Sequence, residues 1–423
     1  MSITDLYKIY LANPGVQTDT RKLGKGDLFF ALSGPNFNGN QFARKALELG
    51  AAYCVCDDVS IGAHSQFIFV EDVLDCLQAL ALYHRQQFNI PVIGITGSNG
   101  KTTTKELIHA VLTKKYKCYT TEGNLNNHIG VPLTLLKIKQ DAEIAIVEMG
   151  ANHMGEIASY CKYALPDHGL ITNCGKAHLE GFGSEENIKI GKGELYDSVK
   201  KTNGVLFINE DFDYLLSMSQ GYESVINYQP SAYKAKESNT EMLEFKLVDN
   251  DVEKKIVKTQ LVGDYNLPNA IAAVCIGKYF EVQTSDIIDA LEAFAPGNSR
   301  SQLMLYNNNK IVLDAYNANP SSMKLAIDNF AKVNPEEKII YLGSMKEMGL
   351  HRIKEHESLI KQLENHIWKE VVLVGEEFEG IDHNYKNFKT TAEAQAYFKN
   401  KKYDGEQILI KGSRGLALEK LLS

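Results

Sequence analysis

No stretch of this 423-residue chain approaches the roughly 18 consecutive apolar residues of a bilayer-spanning helix. The segment Met1 to Tyr10 lacks the basic start and apolar core of an export signal. A cytoplasmic location without stable membrane insertion is expected. Paired CxxC spacing is also missing. The seven cysteines stand at 54, 56, 76, 118, 161, 174 and 275, a scatter that suits reduced thiols better than a disulfide framework or a zinc site. Cys54-Val55-Cys56 reads first as alternation in a buried strand. Positive charge is in deficit, 45 Lys and Arg against 53 Asp and Glu, for a net charge of -8. That argues against nucleic acid held by bulk electrostatics and leaves small anionic substrates held by local charge. Internal repeats and low-complexity tracts are absent, and a monomer is expected.

What is present is strand and helix alternation in three regions, an α/β pattern. Leu28 to Leu32 and Ala52 to Cys56 read as strands, with helices over Phe42 to Leu49 and Val73 to Phe88. A second region begins near Asn89. Its apolar runs Val92–Ile95, Ala142–Glu148, Gly169–Thr172 and Val205–Ile208 predict a mostly parallel sheet with helices on both faces. Glu241 to Leu261 reads as paired strands about a turn at Asp249-Asn250-Asp251, followed by a helix from Asn269 to Tyr279. From Arg300 the strands Lys310–Leu313, Lys338–Leu342, Glu370–Val374 and Gln407–Ile410 predict a second doubly wound sheet. Such sheets bind ligands beyond the carboxyl ends of their strands.

The most specific string follows the run Pro91-Val92-Ile93. In Gly94-Ile95-Thr96-Gly97-Ser98-Asn99-Gly100-Lys101-Thr102-Thr103, backbone N–H groups unhindered by a Cβ, one lysine and one hydroxyl form a phosphate cradle. In the common P-loop a glycine stands six residues before the lysine. Here that position is Ile95, and the match is to the variant GxxGxxGKT. A nucleoside triphosphate is the expected ligand, with Mg²⁺ on Thr102.

Further strings lie in order along the chain: Thr121-Glu122-Gly123-Asn124-Leu125-Asn126-Asn127-His128, Glu148-Met149-Gly150-Ala151-Asn152-His153, Asn173-Cys174-Gly175-Lys176-Ala177-His178, Asp314-Ala315-Tyr316-Asn317-Ala318-Asn319-Pro320 and Lys411-Gly412-Ser413-Arg414. Together they resemble the Mur ligase family, the ATP-dependent enzymes that build the peptide of bacterial cell-wall precursors. The likeness implies three domains: a small N-terminal α/β domain for the UDP-sugar at 1–88, a central P-loop ATPase domain at 89–299, and a C-terminal Rossmann-like domain at 300–423. It implies ATP and Mg²⁺, and among family members it points to the activity that adds D-alanyl-D-alanine to UDP-N-acetylmuramoyl-tripeptide through an acyl phosphate.

The resemblance assigns Lys101, Glu148, His178 and Lys192 to catalysis. Thr102, Glu148, His178 and a carbamylated Lys192 would be the metal ligands. Imidazole is an uncommon partner for a hard ion, so His178 enters through the resemblance. Lys192 unmodified reads as a phosphate ligand or a solvated cation, and Lys189 is the neighbouring alternative. ATP would contact Gly97, Ser98, Asn99, Gly100, Lys101, Thr102, Thr103, Asn266, Asn269, Arg300 and Asp314, with Asn269 also readable as a helix cap. The UDP-sugar falls to Thr20, Arg21, Asn124, Asn126 and Asn127. Arg21 reads either as a phosphate ligand or as a salt bridge. Asn317 and Asn319 are expected at the amine substrate, with the loop Leu342 to Met348. Closure of the last domain over ATP is expected too.

Two other readings compete. A sister ligase adding one amino acid, or a folylpolyglutamate synthetase, would tend to carry Tyr-Ala-His where Tyr316-Asn317-Ala318 stands. A non-catalytic nucleotide-binding protein should have lost Lys101, Glu148, His178 or Lys192, and all four remain.

Overall fold

The computed structural model describes residues 1–13, 15–233, 242–249, 252–297, 299–332 and 338–423. The first unit is a four-stranded parallel sheet of Val16–Gln17, Leu28–Phe30, Tyr53–Cys56 and Phe67–Phe69, side by side in chain order. Leu28–Phe30 is buried on both faces, as is Cys54-Val55-Cys56. Burial pushes the Cys54 and Cys56 thiols up to about 12, the behaviour of inert core cysteines. The first predicted helix of this unit begins at Ala43, because the Asn38 side chain caps a tight 3-10 turn over Gly39–Phe42. The second, capped by Asp72, stops at Arg85.

Six parallel strands form the central sheet, in the order Val225–Tyr228, Val205–Asn209, His168–Ile171, Val92–Thr96, Ile144–Glu148, Cys118–Thr120. Chain order reverses on either side of Val92–Thr96, which makes its carboxyl end the switch point where a crevice opens. The phosphate loop starts there, Glu148 ends the strand on one side, and Thr172 follows the strand on the other. An antiparallel pair, Met242–Asp249 with Val252–Val262, packs beside it. Its predicted turn at Asn250-Asp251 lies outside the described residues.

The last sheet runs Gln302–Tyr306, Asn309–Asp314, Gln407–Lys411, Lys338–Gly343, Glu370–Val374, Lys386–Phe388. Only the Gln302–Tyr306 edge is antiparallel. Asp314 and Lys411 sit opposite one another at adjacent carboxyl ends. Each of the three large sheets falls within one of the stretches 1–88, 89–299 and 300–423.

The first unit is fastened to the second by buried polar groups. Arg85 donates to the carbonyls of Phe88 (2.8 Å), Ala164 (3.2 Å), Ile90 (3.4 Å) and Leu165 (3.4 Å). Tyr10 donates to Leu136 O at 2.6 Å, and His84 Nε2 meets Ile138 O at 2.9 Å. Removing a donor that serves several buried carbonyls exposes each of them to its full desolvation cost. Arg85→Ala is expected to lower stability by about 2–4 kcal/mol, read as a lower urea midpoint, with Arg85→Lys falling between it and the wild type.

Candidate active site

Two glycines shape the phosphate loop. Gly97 has φ +144°, and a Cβ on it would meet Thr172 Oγ1 at 2.0 Å. Gly100 has φ +78°, and its Cβ would meet Asn269 Oδ1 at 2.5 Å. The loop is thus pressed between the neighbouring strand's end and the helix Leu267–Tyr279, and only glycine fits both requirements. The helix Lys101–Leu112 follows directly.

Ser98, Asn99, Gly100, Lys101, Thr102 and Thr103 line a cavity of about 570 Å³. Gly97 lies behind it and acts through conformation alone. The walls include Asn124, Asn126, Asn127, Glu148, His178, Asn266, Asn269, Arg300, Asp314, Asn317 and Asn319, so most of the predicted site residues converge. Thr20 and Arg21 are not among the lining residues. Arg21 is exposed and forks onto Asp19, with Nη2 to Oδ2 at 2.7 Å, which favours its salt-bridge reading.

Thr102 Oγ1 donates to Glu148 Oε1 at 3.1 Å, and Asn126 Nδ2 donates to the same oxygen at 2.7 Å. Asn126, expected at the sugar, therefore serves the nucleotide corner. The other carboxylate oxygen, Glu148 Oε2, is buried without a partner. An orphaned anionic oxygen beside a hydroxyl suits a hard cation such as Mg²⁺. Among the described residues no three His, Cys, Asp or Glu cluster around a point. Few protein ligands fit an ion that keeps waters and takes phosphate oxygens. Behind Glu148, its N–H donates to Thr121 Oγ1 at 3.0 Å, and the fully buried Lys105 ammonium donates to Thr121 O.

Lys101 folds back on its own loop, donating to Gly97 O (2.6 Å) and Ser98 O (3.3 Å). Burial, opposed by Glu148 and aided by Arg300, holds its ammonium below the ordinary lysine range. Lys192 lies behind the wall, 1 % exposed, donating to Ala151 O at 3.1 Å, with its ammonium 5.1 Å from the Phe182 ring centroid. Burial and then Lys101 lower its pKa to about 7. Lys189, the alternative, pairs with Glu186 at 3.1 Å on the surface side of the helix.

Asn269 sits inside its helix, not at the cap. It accepts from Thr104 Oγ1 at 3.0 Å and donates to Asn266 Oδ1 at 2.9 Å. Asn266 in turn donates to Val262 O at 2.8 Å. Asn127 accepts from Gly130 N at 2.8 Å and fixes its own loop.

The third domain closes the cavity. Arg300 lies 3.5 Å from the Tyr316 ring centroid, and Arg414 lies 5.8 Å from it. Lys411 binds Asp314 at 2.5 Å and Asn317 O at 3.3 Å. Asn319, expected at the amine, is engaged at both ends of its amide: Nδ2 donates to Asn99 Oδ1 at 2.7 Å, and Oδ1 accepts from Ser322 N at 2.9 Å. It clamps the third domain onto the phosphate loop. His178 Nδ1 meets the Glu347 carboxylate across the same seam. Sequence reasoning gave Lys411, Arg414 and Tyr316 no role. The carboxyl-end rule that found Asp314 applies equally to Lys411, which ends the adjacent strand.

Comparison with known proteins agrees along the chain. Residues 14–85 match the model "Mur ligase family, catalytic domain", 95–277 the "Mur ligase middle domain" and 299–414 the "Mur ligase, glutamate ligase domain". The chain is 36% identical over 368 residues to the UDP-N-acetylmuramoyl-tripeptide--D-alanyl-D-alanine ligase of Bacillus subtilis, covering 82% of this chain and 79% of that protein. It superposes on MurF from Acinetobacter baumannii with TM-score 0.85 at 28% identity, covering 98% of this chain and 96% of that one. MurF ligase from Thermotoga maritima in complex with ADP gives TM-score 0.85 at 27% identity, covering 97% of each chain.

The depressed Lys192 fixes a pH dependence. Its native pKa of about 7 lies below that of an unfolded lysine, so between the two the native state binds fewer protons. Stability contributed by the neutral amine is full above about pH 10 and declines as pH falls toward 7. Lys192→Met should remove up to about 1.4 kcal/mol per pH unit of that slope, measured as urea midpoints from pH 7 to 9.

Proposed function

The chain belongs to the Mur ligase family, and we infer that it joins D-alanyl-D-alanine to UDP-N-acetylmuramoyl-tripeptide while converting ATP to ADP. The product is the UDP-N-acetylmuramoyl-pentapeptide used in peptidoglycan biosynthesis. The observation that carries the chemistry is the Thr102–Glu148 pair with its unpartnered carboxylate oxygen, set in a cavity walled by two domains. The proposed domain boundaries, 1–88, 89–299 and 300–423, are supported by the three large sheets falling one in each stretch.

Phosphoryl transfer from ATP to a carboxylate brings anions together, so its barrier is electrostatic and positional. In this reading residues 98–103 bind the phosphates, shaped by Gly97, with Lys101 exchanging its contacts to Gly97 O and Ser98 O for phosphate oxygens. Arg300, held flat on Tyr316, presents its guanidinium from the third domain. Asn266 and Asn269 border the base and Asp314 the ribose. Thr102 and Glu148 would hold Mg²⁺, joined by His178 and by Lys192 if carbamylated. The ion would supply charge neutralisation on the phosphates. Lys192's lowered pKa makes a neutral amine, the form that reacts with CO₂, accessible near neutrality.

The tripeptide carboxylate oxygen attacks the γ-phosphorus, ADP leaves, and an acyl phosphate forms. The amine of D-alanyl-D-alanine, once deprotonated, attacks the acyl carbon, and the tetrahedral intermediate collapses to amide and phosphate. Asn317 and the Leu342–Met348 loop, both following strands of the third domain, are suited to position the amine. Asn124 and Asn127, with Thr20 and Arg21 farther off, remain the proposed sugar-side contacts. The described residues include no helix long and apolar enough to cross a membrane.

Incubation with Mg-ATP, UDP-N-acetylmuramoyl-tripeptide and either D-alanyl-D-alanine or single amino acids tests the reading. The expected result is dipeptide-dependent ADP release and a product heavier by the dipeptide less one water. Turnover with a single amino acid instead would overturn it. Glu148→Gln should cut kcat by about 100-fold or more while leaving the melting temperature within a few degrees.

A further inference from the structure

His178 and Glu347 come from different domains, 169 positions apart, and meet side chain to side chain. His178 lies on the loop between the strand His168–Ile171 and the short helix Leu179–Phe182. Glu347 lies on the loop after the strand Lys338–Gly343 of the last sheet. Both residues have left-handed backbones, φ +53° for His178 and φ +61° for Glu347. Such conformations are strained for residues with a Cβ and persist only where the surroundings impose them.

The contact is reinforced beside the two side chains. Glu180 N donates to Glu347 O at 3.1 Å, and Gly349 packs so close to Glu180 that an added Cβ would sit 3.3 Å from its Cα. The Glu347 carboxyl is held below the usual carboxylate range, first by its hydrogen bond with His178. Both residues line the nucleotide cavity. His178 Nε2 finds no hydrogen-bond partner among the described residues.

A neutral imidazole has one N–H and one lone pair, and whatever accepts the N–H decides where the lone pair points. We propose that Glu347 is the positioning residue of His178: it accepts the Nδ1–H, fixes the tautomer with the lone pair on Nε2, and does so only when the third domain is docked. The carboxylate behind a ligating histidine is the usual device for this. Here the two halves of the device are split between domains. Domain docking and the readiness of His178 are thereby one event. The inference rests on the reading above that His178 acts at the phosphates.

The test reads the tautomer directly. In nitrogen-15 histidine-labelled protein without nucleotide, at about pH 8, above the ordinary imidazole range, long-range proton–nitrogen correlations distinguish the two neutral forms. His178 is assigned by its loss in His178→Ala, and the other histidines report whether each variant is folded. The wild type should show Nδ1–H. Glu347→Ala should move His178 to Nε2–H or to a mixture and lower kcat about 10- to 100-fold, with KM for ATP little changed. Glu347→Gln keeps an acceptor oxygen and should retain the Nδ1–H form and most of kcat. A wild-type Nε2–H form, or a tautomer unmoved in Glu347→Ala, overturns the proposal. Full activity in His178→Ala would instead remove the role of His178 in the chemistry and leave the tautomer result standing.

Discussion

Four cations, Lys101, Arg300, Lys411 and Arg414, face one cavity, and holding like charges together there is the constraint around which the site is built. At a spacing of 4 Å and an effective dielectric near 20, two like charges repel by about 4 kcal/mol. Each cation is met differently. Lys411 has Asp314 at 2.5 Å and Arg414 has Glu419 at 2.8 Å. Arg300 lies on the face of Tyr316, where the ring quadrupole is attractive and no counter-charge is needed. Lys101 leans on two loop carbonyls and on the field of Glu148. Burial is what chiefly lowers the pKa of Lys101 and, behind it, of Lys192, with Arg300 adding to the effect at the first and Lys101 at the second. An incoming triphosphate would meet a positive field that the empty protein holds in check by weak, replaceable contacts.

The same logic explains why the cavity is divided between domains. Contacts that close it are polar and short-sided: Asn99 to Asn319 at 2.7 Å, Lys176 to Glu355 at 3.0 Å, Lys176 N to Ser321 Oγ at 3.0 Å, Tyr265 to Ser301 at 2.8 Å. Apolar side chains cross the same seam, with Leu179, Phe182 and Val262 in one buried cluster with Ala318, Met323, Met345 and Met348. The first domain is held otherwise, by Arg85 and Tyr10 donating into buried backbone.

Much of this was legible before any coordinates. Long apolar runs became strands within a residue or two, as at Glu370–Val374, and the carboxyl-end rule led to Glu148 and Asp314. Edge strands such as Cys118–Thr120, three residues long, carry too little periodicity to be seen. Asparagines were the harder case. Asn126, Asn269 and Asn319 stand in strings that look alike, and an amide serves a ligand or a neighbouring loop with equal ease. Which it does depends on packing between segments far apart, such as the 220 positions separating Asn99 from Asn319. Thr20 and Arg21, expected at the sugar, lie outside the cavity around the phosphate loop, since a motif fixes local chemistry but not the distance between domains.

Four of the left-handed non-glycine residues lie at the seam between the second and third domains. Among the described non-glycine residues with positive φ, Ser299 and Ser301 stand where the chain enters the third domain, and His178 and Glu347 face each other at the cavity. A left-handed residue with a Cβ costs about 1–2 kcal/mol. Strain placed at the entry to a domain and at its docking contact must be balanced by the contacts that docking makes. Undocking would release part of that strain while breaking those hydrogen bonds, so the two arrangements lie closer in free energy than the contacts alone imply. A domain that closed on three substrates and opened for three products would work best when neither state is deep. Glycine at His178 or Glu347 would relieve that strain and would also remove the side-chain contact between them.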